Sequence, residues 1–310
     1  MADVSKAGVV TVTYNSETVI EGFVSSMLAQ SCGAFVLYIV DNASTDRTLE
    51  CLARYTDERI IVIHNRENLG VARGNNQGIR AALDAQCDSV LLINNDTEFG
   101  PDLLRDLQVG MRDWRCDMIV PKIVYHFESK RVWYAGGYFN PWRAYAGEHF
   151  GLGELDRGQF EKSRLVEYAP TCCMLVRREV FEQLGLMDEQ YFVYADDTDF
   201  CFRANRCGLK LRYLPGAEVS HKVSSLTGGG ETVFTLRHLT RSHVYFIRKN
   251  LGFWKSLYYL PAYQIMLFYK LLRRILDWEG FVVRERAFFE GARIPLPKEA
   301  MLGTARSGAG

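Results

Sequence analysis

Residues 89–97 read Ser-Val-Leu-Leu-Ile-Asn-Asn-Asp-Thr, an apolar run that ends abruptly in two amides and a carboxylate. A short, unbroken apolar run bounded by polar residues is typical of a strand buried on both faces of a sheet. Asn94, Asn95 and Asp96 lie just beyond the carboxyl end of this predicted strand. There they can terminate the strand in a turn or face a ligand, and the motif taken alone favours the turn.

Two earlier segments also have an apolar run followed by polar side chains. The run at 8–12 leads into Thr13, Tyr14 and Asn15, and the run at 35–40 leads into Asp41. Because ligands of open α/β sheets bind beyond the carboxyl ends of the strands, we expect the three polar groups to border one crevice. Three such groups are a stronger signal than any one of them.

Helical segments separate these strands. Apolar residues recur at helical spacing at 16–30 and 71–85, Ser44 or Thr45 can cap a helix that runs to about residue 55, and Pro101 stands where a helix begins. Repeated strand–helix units of this length predict an α/β fold, with a mostly parallel, Rossmann-like sheet flanked by helices on both faces.

The remaining chain up to residue 220 has a less regular pattern, rich in glycine and aromatic residues in its middle. Its predicted elements are a strand at 59–64, a strand at 118–120, loops and short antiparallel strands at 125–167, a strand at 173–177, helices at 178–184 and 196–206, and strands at 211–214 and 217–220.

Asp96 is also a candidate metal ligand. Mg²⁺ and Mn²⁺ prefer oxygen ligands and are often held by one or two carboxylates together with substrate phosphates. His221, at the end of a short predicted strand, is a candidate second ligand. A lone histidine is more often structural, so His221 gains this role only if the fold brings it near Asp96.

The densest acidic cluster is Tyr194-Ala195-Asp196-Asp197-Thr198-Asp199. These neighbouring carboxylates repel one another, but the start of a helix offsets negative charge, and a helix is predicted to begin here. A second interpretation makes one of the three aspartates a general base whose pKa is raised by its neighbours. The residues alone do not choose between the two.

The run from Asn68 to Gly78, Asn-Leu-Gly-Val-Ala-Arg-Gly-Asn-Asn-Gln-Gly, gathers glycines and amides around Arg73 at a predicted helix start. Small residues at a helix N-terminus suit the approach of a phosphate, and arginine can pair with a diphosphate. The alternative is a surface loop with an ordinary helix cap. Asn75, within this run, is a candidate for the same binding site.

From Thr232 onward the sequence becomes helical, basic and aromatic. The stretch 256–269 carries no charge and is interrupted by Pro261, while Lys255, Lys270 and Arg273 flank it. This pattern fits an interfacial helix on an anionic membrane surface. The alternative is a helix pair that packs on the main domain or on another subunit of a homodimer.

Composition excludes several other classes. The 37 basic and 37 acidic residues balance, whereas a nucleic-acid-binding protein usually has a basic excess, so we expect no nucleic-acid partner. The eight cysteines include no Cys-x-x-Cys pair, which argues against zinc and against a disulfide framework. The first apolar run, at 9–12, is too short for the core of a signal peptide. We therefore expect a cytoplasmic protein.

Taken together, the segments 9–16, 40–46, 68–78 and 91–97 resemble the family 2 glycosyltransferases of the GT-A fold, most closely the bacterial rhamnosyltransferase-like branch. Residues 174–181, 188–200 and His221 extend the resemblance, which covers about residues 8–225 in order. It implies a GT-A domain at 1–230. The C-terminal helical region, a candidate for membrane association, would follow at 231–300, and a flexible tail at 301–310.

The resemblance also implies a role for each matching position. Asp41 contacts the base of a nucleotide-diphosphate sugar in a pocket that includes Thr13, Tyr14 and Asn15, and Arg73, Asn75, Asn94 and Asn95 complete the donor site. Asp96, the last position of an Asp-x-Asp motif, and His221 hold Mg²⁺ or Mn²⁺. Asp197 is the base, with Asp196 beside it as the second catalytic candidate. The chain departs from the family's pattern at Asn94 and at Asp196, where an aspartate and a glutamate are usual.

The implied reaction is an inverting, metal-dependent transfer of a sugar, best matched by rhamnose from thymidine-diphosphate rhamnose. The implied acceptor is a saccharide or lipid-linked saccharide in the synthesis of a surface polysaccharide such as O-antigen, at the cytoplasmic face of the inner membrane. Three alternatives stay open: a uridine-diphosphate hexose as donor, a nucleotidyltransferase, or an inactive module that binds sugar nucleotides. Trp133, Tyr134, Tyr138 and Trp142 are candidates for stacking on sugar rings or, equally, for packing.

Overall fold

The computed structural model describes residues 5–223 and 232–297. The strands are β1 (Ala7–Thr13), β2 (Phe35–Asp41), β3 (Ile60–His64), β4 (Ser89–Ile93), β5 (Thr97–Phe99), β6 (Met118–Tyr125), β7 (Glu128–Tyr134), β8 (Gly137–Asn140), β9 (Ala146–His149), β10 (Arg164–Val166), β11 (Cys173–Arg177) and β12 (Leu211–His221). The helices are α1 (Ile20–Leu28), α2 (Thr48–Leu52), α3 (Val71–Asp84), α4 (Leu103–Asp113), α5 (Arg178–Leu184), α6 (Asp196–Arg206), α7 (Val233–Asn250), α8 (Gly252–Leu272) and α9 (Trp278–Arg293).

The α/β fold predicted from the sequence is confirmed, and its central sheet has the order β10-β12-β6-β11-β4-β1-β2-β3. Strands β4, β1, β2 and β3 are parallel, as are β6 and β12. The sheet as a whole is mixed rather than largely parallel, because β11 lies antiparallel to both β4 and β6. The chain reaches β11 through the irregular segment after β6, not through the helical crossover that a parallel neighbour requires.

The strands whose observed length differs most from the prediction are β6 and β12. β6 continues through Pro121 to Tyr125, and β12 joins two segments that the sequence separates into 211–214 and 217–220. The register shifts between Leu214 and Glu218, opposite Pro121 and Lys122. This irregularity absorbs the proline and glycine at 215 and 216, which would otherwise end the strand. As a result β12 extends to His221.

Helices cover both faces of the parallel strands. On one face α1 and α4 bury Phe23, Met27 and Leu107 against Val9 and other strand residues. On the other face α3 lies so close to β1 that a Cβ at Gly74 would come within 2.8 Å of Val12 Cγ2, and one at Gly78 would collide with Val10. These two glycines therefore serve helix–sheet packing.

The chain divides into two compact units. The first falls within Met1–Asn140, Gly147–Phe192 and Asp196–Gly229, and the second within Pro141–Ala146, Val193–Ala195 and Gly230–Gly310. The sequence indicated no role for 141–146 or 193–195 in the C-terminal unit. The predicted domain boundary at 230 and the predicted flexible tail at 301–310 lie outside the described residues.

The second unit is built from α7, α8 and α9. The expectation that Pro261 interrupts the middle helix is wrong, because α8 runs unbroken from Gly252 to Leu272 with Pro261 inside it. Pro261 lies on the exposed side of the helix, where a carbonyl that loses its amide partner can be hydrated. Within the part of the chain that the structure describes, no helix combines the length and the apolar character needed to cross a membrane.

Candidate active site

Asp96 and His221 meet at one edge of the central sheet. Asp96 follows β4, and His221 is the last residue of β12, where it is paired in register with Thr97 of β5. The short antiparallel pairing of β5 with β12 thereby brings together two residues that are 125 positions apart in the chain. His221 Nε2 lies 3.1 Å from Asp96 Oδ1, and both side chains are buried.

The Asp96–His221 pair fits part of an octahedral metal site. Two adjacent ligands of such an ion, at bonds of about 2.1 Å, lie about 3 Å apart, which is close to the observed separation. Burial alone would lower the pKa of His221, but the neighbouring Cys172 sulfur and the Asp96 carboxylate raise it to about 10. The imidazole therefore holds a proton near neutral pH, which it must release before Nε2 can bind a metal. Among the described residues, no cluster of three or more His, Cys, Asp or Glu side chains suits a metal, so the remaining ligands would be oxygens of another kind, such as substrate phosphates or water.

Asp41, at the end of β2, is buried and fixed from two sides. Its carboxylate accepts hydrogen bonds from Thr13 Oγ1 at 3.0 Å and from the Ser44 amide at 3.1 Å. Asn15 belongs to the same group. Its backbone N–H donates a hydrogen bond to Ser44 Oγ, and its side-chain Oδ1 accepts one from the backbone N–H of Thr45. Tyr14 stands exposed beside them. The structure thus brings together the predicted residues at the ends of β1 and β2.

The two asparagines before Asp96 have different environments. Asn95 is buried and donates through Nδ2 to the Val12 carbonyl and to Ser16 Oγ, which ties the end of β4 to the end of β1. Asn94 is exposed, and its backbone is anchored by hydrogen bonds to the Cys172 carbonyl and from the Thr97 hydroxyl. Asn95 therefore joins the ends of β4 and β1, whereas the side chain of Asn94 is accessible from solvent, and the predicted donor-binding role of both residues stays a prediction.

Arg73 and Asn75 both contact the segment that follows α5. Arg73 Nε lies 3.2 Å from Glu189 Oε2, and Asn75 Nδ2 lies 3.7 Å from Met187 Sδ. The neighbouring Asn76 also bonds to Met187 and Glu189. Their predicted donor-binding role stays a prediction. In this structure the run 68–78 joins α3 to the loop that leads to the acidic cluster.

The acidic cluster at the start of α6 contains three different carboxylates. Asp199 is fully buried and paired with Arg203 at 2.8 Å, so it is structural. Asp197 is half-buried, and it accepts hydrogen bonds from Tyr168 Oη at 2.9 Å and from the Thr198 amide at 2.6 Å. Asp196 is buried, and its Oδ2 has no hydrogen-bond partner in the described part of the chain. Burial and the charge of Asp197 raise the pKa of Asp196 to about 7, and burial also raises the pKa of Asp197.

An aromatic series connects the Asp96–His221 pair to Asp197. The rings of Trp133 and His221 are 4.8 Å apart, and Trp133 in turn lies 4.7 Å from His149. His149 stacks on Tyr168 at 5.7 Å, and Tyr168 donates to Asp197. Every member belongs to the first compact unit. Asp96 and Asp197, 101 residues apart in sequence, are thus linked through four intervening side chains.

His149 and Tyr168 were not among the residues singled out in the sequence, because neither stands in a recognisable motif. His149 Nδ1 lies 2.9 Å from the Trp133 carbonyl, and burial lowers the pKa of its imidazole, so the ring is a neutral donor at that atom. Of the aromatic candidates, Tyr134 is fully buried and bonds to the Tyr168 carbonyl, which makes it a packing residue. Trp142 belongs to the second unit.

Comparison with known proteins identifies the family of this chain. The family model for glycosyl transferase family 2 matches residues 8–185. An N-acetylglucosaminyl-diphospho-decaprenol L-rhamnosyltransferase of Mycobacterium tuberculosis is 26% identical over 275 residues, which cover 80% of this chain and 86% of the relative. The dTDP-rhamnosyl transferase RfbF of Shigella flexneri is 25% identical, with 69% of this chain and 68% of the relative covered.

Solved structures share the fold at low identity. The mannosyltransferase PcManGT of Pyrobaculum calidifontis, in complex with GDP-mannose and Mn²⁺, has a TM-score of 0.58 and 17% identity over 97% of this chain and 79% of that one. GalNAc-T7 with UDP, GalNAc and Mn²⁺ has a TM-score of 0.60 and 16% identity over 77% of this chain and 48% of that one. The match to the family model spans more than half of the sequence, and the chain belongs to glycosyl transferase family 2.

Proposed function

We propose that this glycosyltransferase inverts the configuration of a sugar as it moves the sugar from a nucleotide diphosphate to an acceptor hydroxyl. The observation that carries the proposal is the series of contacts from Asp96 and His221 through Trp133 and His149 to Tyr168 and Asp197. On the strength of this series we infer that a carboxylate suited to a metal-bound diphosphate and a carboxylate suited to a proton line one site. An in-line displacement needs both, on opposite sides of the reacting carbon.

The donor nucleotide is assigned to the ends of β1 and β2. Asp41, held by Thr13 and Ser44, presents a fixed acceptor for the N–H groups of a base. Tyr14 offers an exposed ring beside it, and Asn15 holds the loop 43–45 in place. Arg73, Asn75 and Asn94 remain assigned to the donor by the family resemblance. For Arg73 this requires that it exchange Glu189 for a phosphate.

Asp96 and His221 would hold Mg²⁺ or Mn²⁺ together with the diphosphate oxygens. When bound, such an ion supplies Lewis-acid stabilisation of the charge that develops on the leaving group. Asp96 contributes the negative charge, and His221 contributes a nitrogen ligand in its neutral form. The buried position of both side chains excludes bulk water from their side of the site.

Asp197 is the proposed general base. Because burial and the adjacent charge raise the pKa of Asp196 to about 7, a proton shared by the pair resides mainly on Asp196 near neutral pH, and Asp197 carries the charge. Tyr168 and the Thr198 amide fix its two oxygens, while its partial exposure leaves it accessible to a hydroxyl. A base so placed contributes about 10²–10⁴-fold to the rate.

Rhamnose from thymidine-diphosphate rhamnose is the proposed donor sugar, and a lipid-linked saccharide is the proposed acceptor. Both rest on the named activities of the M. tuberculosis and S. flexneri relatives. We place the reaction in the synthesis of a surface polysaccharide, on the cytoplasmic side of the membrane. We assign catalysis to the first compact unit, in keeping with the GT-A domain expected at 1–230.

Product analysis tests the proposal. The protein is incubated with Mg²⁺ or Mn²⁺, thymidine-diphosphate rhamnose and an N-acetylglucosaminyl diphospholipid, with parallel reactions that contain uridine-diphosphate hexoses. Release of thymidine diphosphate and an acceptor that gains one rhamnose with inverted configuration are expected. Turnover of a uridine-diphosphate hexose alone would replace the donor. Release of pyrophosphate would indicate nucleotidyl transfer, and binding without turnover in any mixture would identify an inactive module.

A further inference from the structure

The exposed face of α8 is apolar along its whole length. Successive residues of a helix are 100° apart, so eight residues of α8 fall within roughly one third of its circumference. They are Trp254, Leu257, Tyr258, Pro261, Ile265, Phe268, Tyr269 and Leu272. All eight are exposed, with Trp254 at 82%, Ile265 at 70% and Leu272 at 81%. The strip from 254 to 272 is about 27 Å long at 1.5 Å per residue.

The opposite face of α8 is packed within the second unit. Leu267 is fully buried in a cluster with Leu276 and Phe281, and the Tyr263 hydroxyl lies 3.1 Å from Thr240 Oγ1 of α7. The helix is thus apolar on both sides, and within residues 5–223 and 232–297 only one side is covered. An apolar strip of this size is unusual on the surface of a soluble protein and marks a contact with a partner or a membrane.

The segment that contains α7 and α8 carries charge of a single sign. Residues 232–276 contain no aspartate or glutamate and eight basic side chains, namely Arg237, Arg241, Arg248, Lys249, Lys255, Lys270, Arg273 and Arg274. Lys255, Lys270, Arg273 and Arg274 lie at the two ends of the exposed strip. Aromatic residues interleave with these cations, as they do in segments that lie at the level of lipid headgroups.

We propose that α8 is an interfacial helix that lies on an anionic phospholipid surface, with Leu257, Ile265, Phe268 and Leu272 of the exposed strip inserted among the acyl chains. Trp254, Tyr258 and Tyr269 lie at headgroup depth, and the four flanking cations contact phosphate groups. A second copy of this chain fits the strip less well. Symmetric pairing through the strip would bring the same flanking cations of each copy together, with no acidic residue within α8 to offset them.

Vesicle flotation of the full-length protein tests this surface. Vesicles that contain phosphatidylglycerol should carry the protein to the top of the gradient, whereas pure phosphatidylcholine should carry much less. Raising the salt to roughly 0.5 M should weaken the anionic contribution. The variant Arg273→Gln/Arg274→Gln should lower affinity for the anionic vesicles by roughly 10–30-fold.

The strip itself is tested by the variant Trp254→Gln/Ile265→Gln/Leu272→Gln. Flotation should fall by more than about tenfold, because three apolar side chains no longer enter the bilayer. Its matched control is Phe127→Gln/Leu152→Gln/Leu165→Gln, which removes three exposed apolar side chains from the first unit and should float like the wild type. Circular dichroism and donor binding should be unchanged in both variants, which separates this proposal from the proposed reaction.

Three outcomes would overturn the proposal. The first is that the wild type does not float with anionic vesicles, and the second is that the strip variant floats as well as its control. The third is that light scattering shows a dimeric wild type and a monomeric strip variant, while the two float equally well. That last result would identify the strip as a subunit interface.

Discussion

Asp96 and Asp196 are equally buried, yet their neighbours are opposite in charge. Asp96 lies 3.1 Å from the imidazole of His221, whereas Asp196 stands next to the Asp197 carboxylate at the start of α6. The first arrangement pairs a negative group with one that can be positive. The second concentrates negative charge, so that one of the two carboxylates retains a proton up to about pH 7. The same type of side chain is thus a candidate metal ligand in one place and half of a proton-holding pair in the other.

The variant expected to have the largest effect on turnover is Asp197→Asn, in the Asp196–Asp197 pair. Because the amide accepts no proton, kcat should fall by about 10²–10⁴-fold while the donor Kd stays near the wild-type value. Single-turnover transfer and calorimetric donor binding measure the two quantities. Near-normal turnover would remove Asp197 as the base and direct attention to Asp196.

Asp96→Ala should have the complementary effect. Loss of this carboxylate should weaken donor binding in Mg²⁺ or Mn²⁺ by at least about 10–100-fold, and should have little effect on whatever binding persists in EDTA. Titration calorimetry with and without metal measures the difference, and Asp197→Asn is the matched control that should keep its metal dependence. Equal metal dependence in both variants would contradict the distinction between the two carboxylates.

Tyr168→Phe should produce a smaller and more specific change. The Tyr168 O–H stabilises ionised Asp197 and lowers its pKa, so its removal should raise that pKa and shift the acidic limb of the pH–kcat profile to higher pH. Near the optimum, kcat should fall by roughly tenfold, the value of one hydrogen bond to a charged group, with KM for the donor unchanged. Tyr138→Phe, which deletes a hydroxyl bound to Glu148, is the control and should leave the profile in place.

The smallest effect concerns stability. The raised pKa of Asp196 means that the folded protein keeps a proton that the unfolded chain loses above about pH 4, so this residue costs stability as pH rises from about 4 to 7. Asp196→Asn should therefore raise Tm by roughly 3–6 °C at pH 8 and by less at pH 5.

Asp199→Asn is the matched control for this prediction, because it leaves Arg203 without its carboxylate partner and should lower Tm. A decrease in Tm for Asp196→Asn at pH 8 would contradict the assigned proton.

Local sequence patterns were enough to predict the elements that end in the site. β4, β11, α5 and α6 begin and end where periodicity and apolar runs placed them, and β1 and β2 extend by only one or two residues. These elements are buried and strongly patterned, so tertiary contacts reinforce what the residues prefer locally. β5 was missed, because its strand conformation depends on pairing with β12, and so was the continuity of β12 between its two predicted segments. That pairing is what brings His221 to Asp96.

The connection between the two carboxylate groups could not be predicted from the sequence. Trp133, His149 and Tyr168 lie on three different segments of an irregular region, and none forms a periodic pattern with another. Only the folded chain stacks them. In the same way, the direction of β11 in the sheet depends on the course of the chain between β6 and β11, which apolar runs do not encode.

The two hydrogen bonds of Asn95 restrict how this chain could acquire a second acidic ligand. A carboxylate at 95 would offer no N–H to the Val12 carbonyl or to Ser16, and would place negative charge against a buried carbonyl. Position 94, whose side chain is open to solvent, has no such restriction. Gain of an acidic ligand by mutation is therefore open at Asn94 and closed at Asn95, although the same single-base change converts either asparagine codon to an aspartate codon.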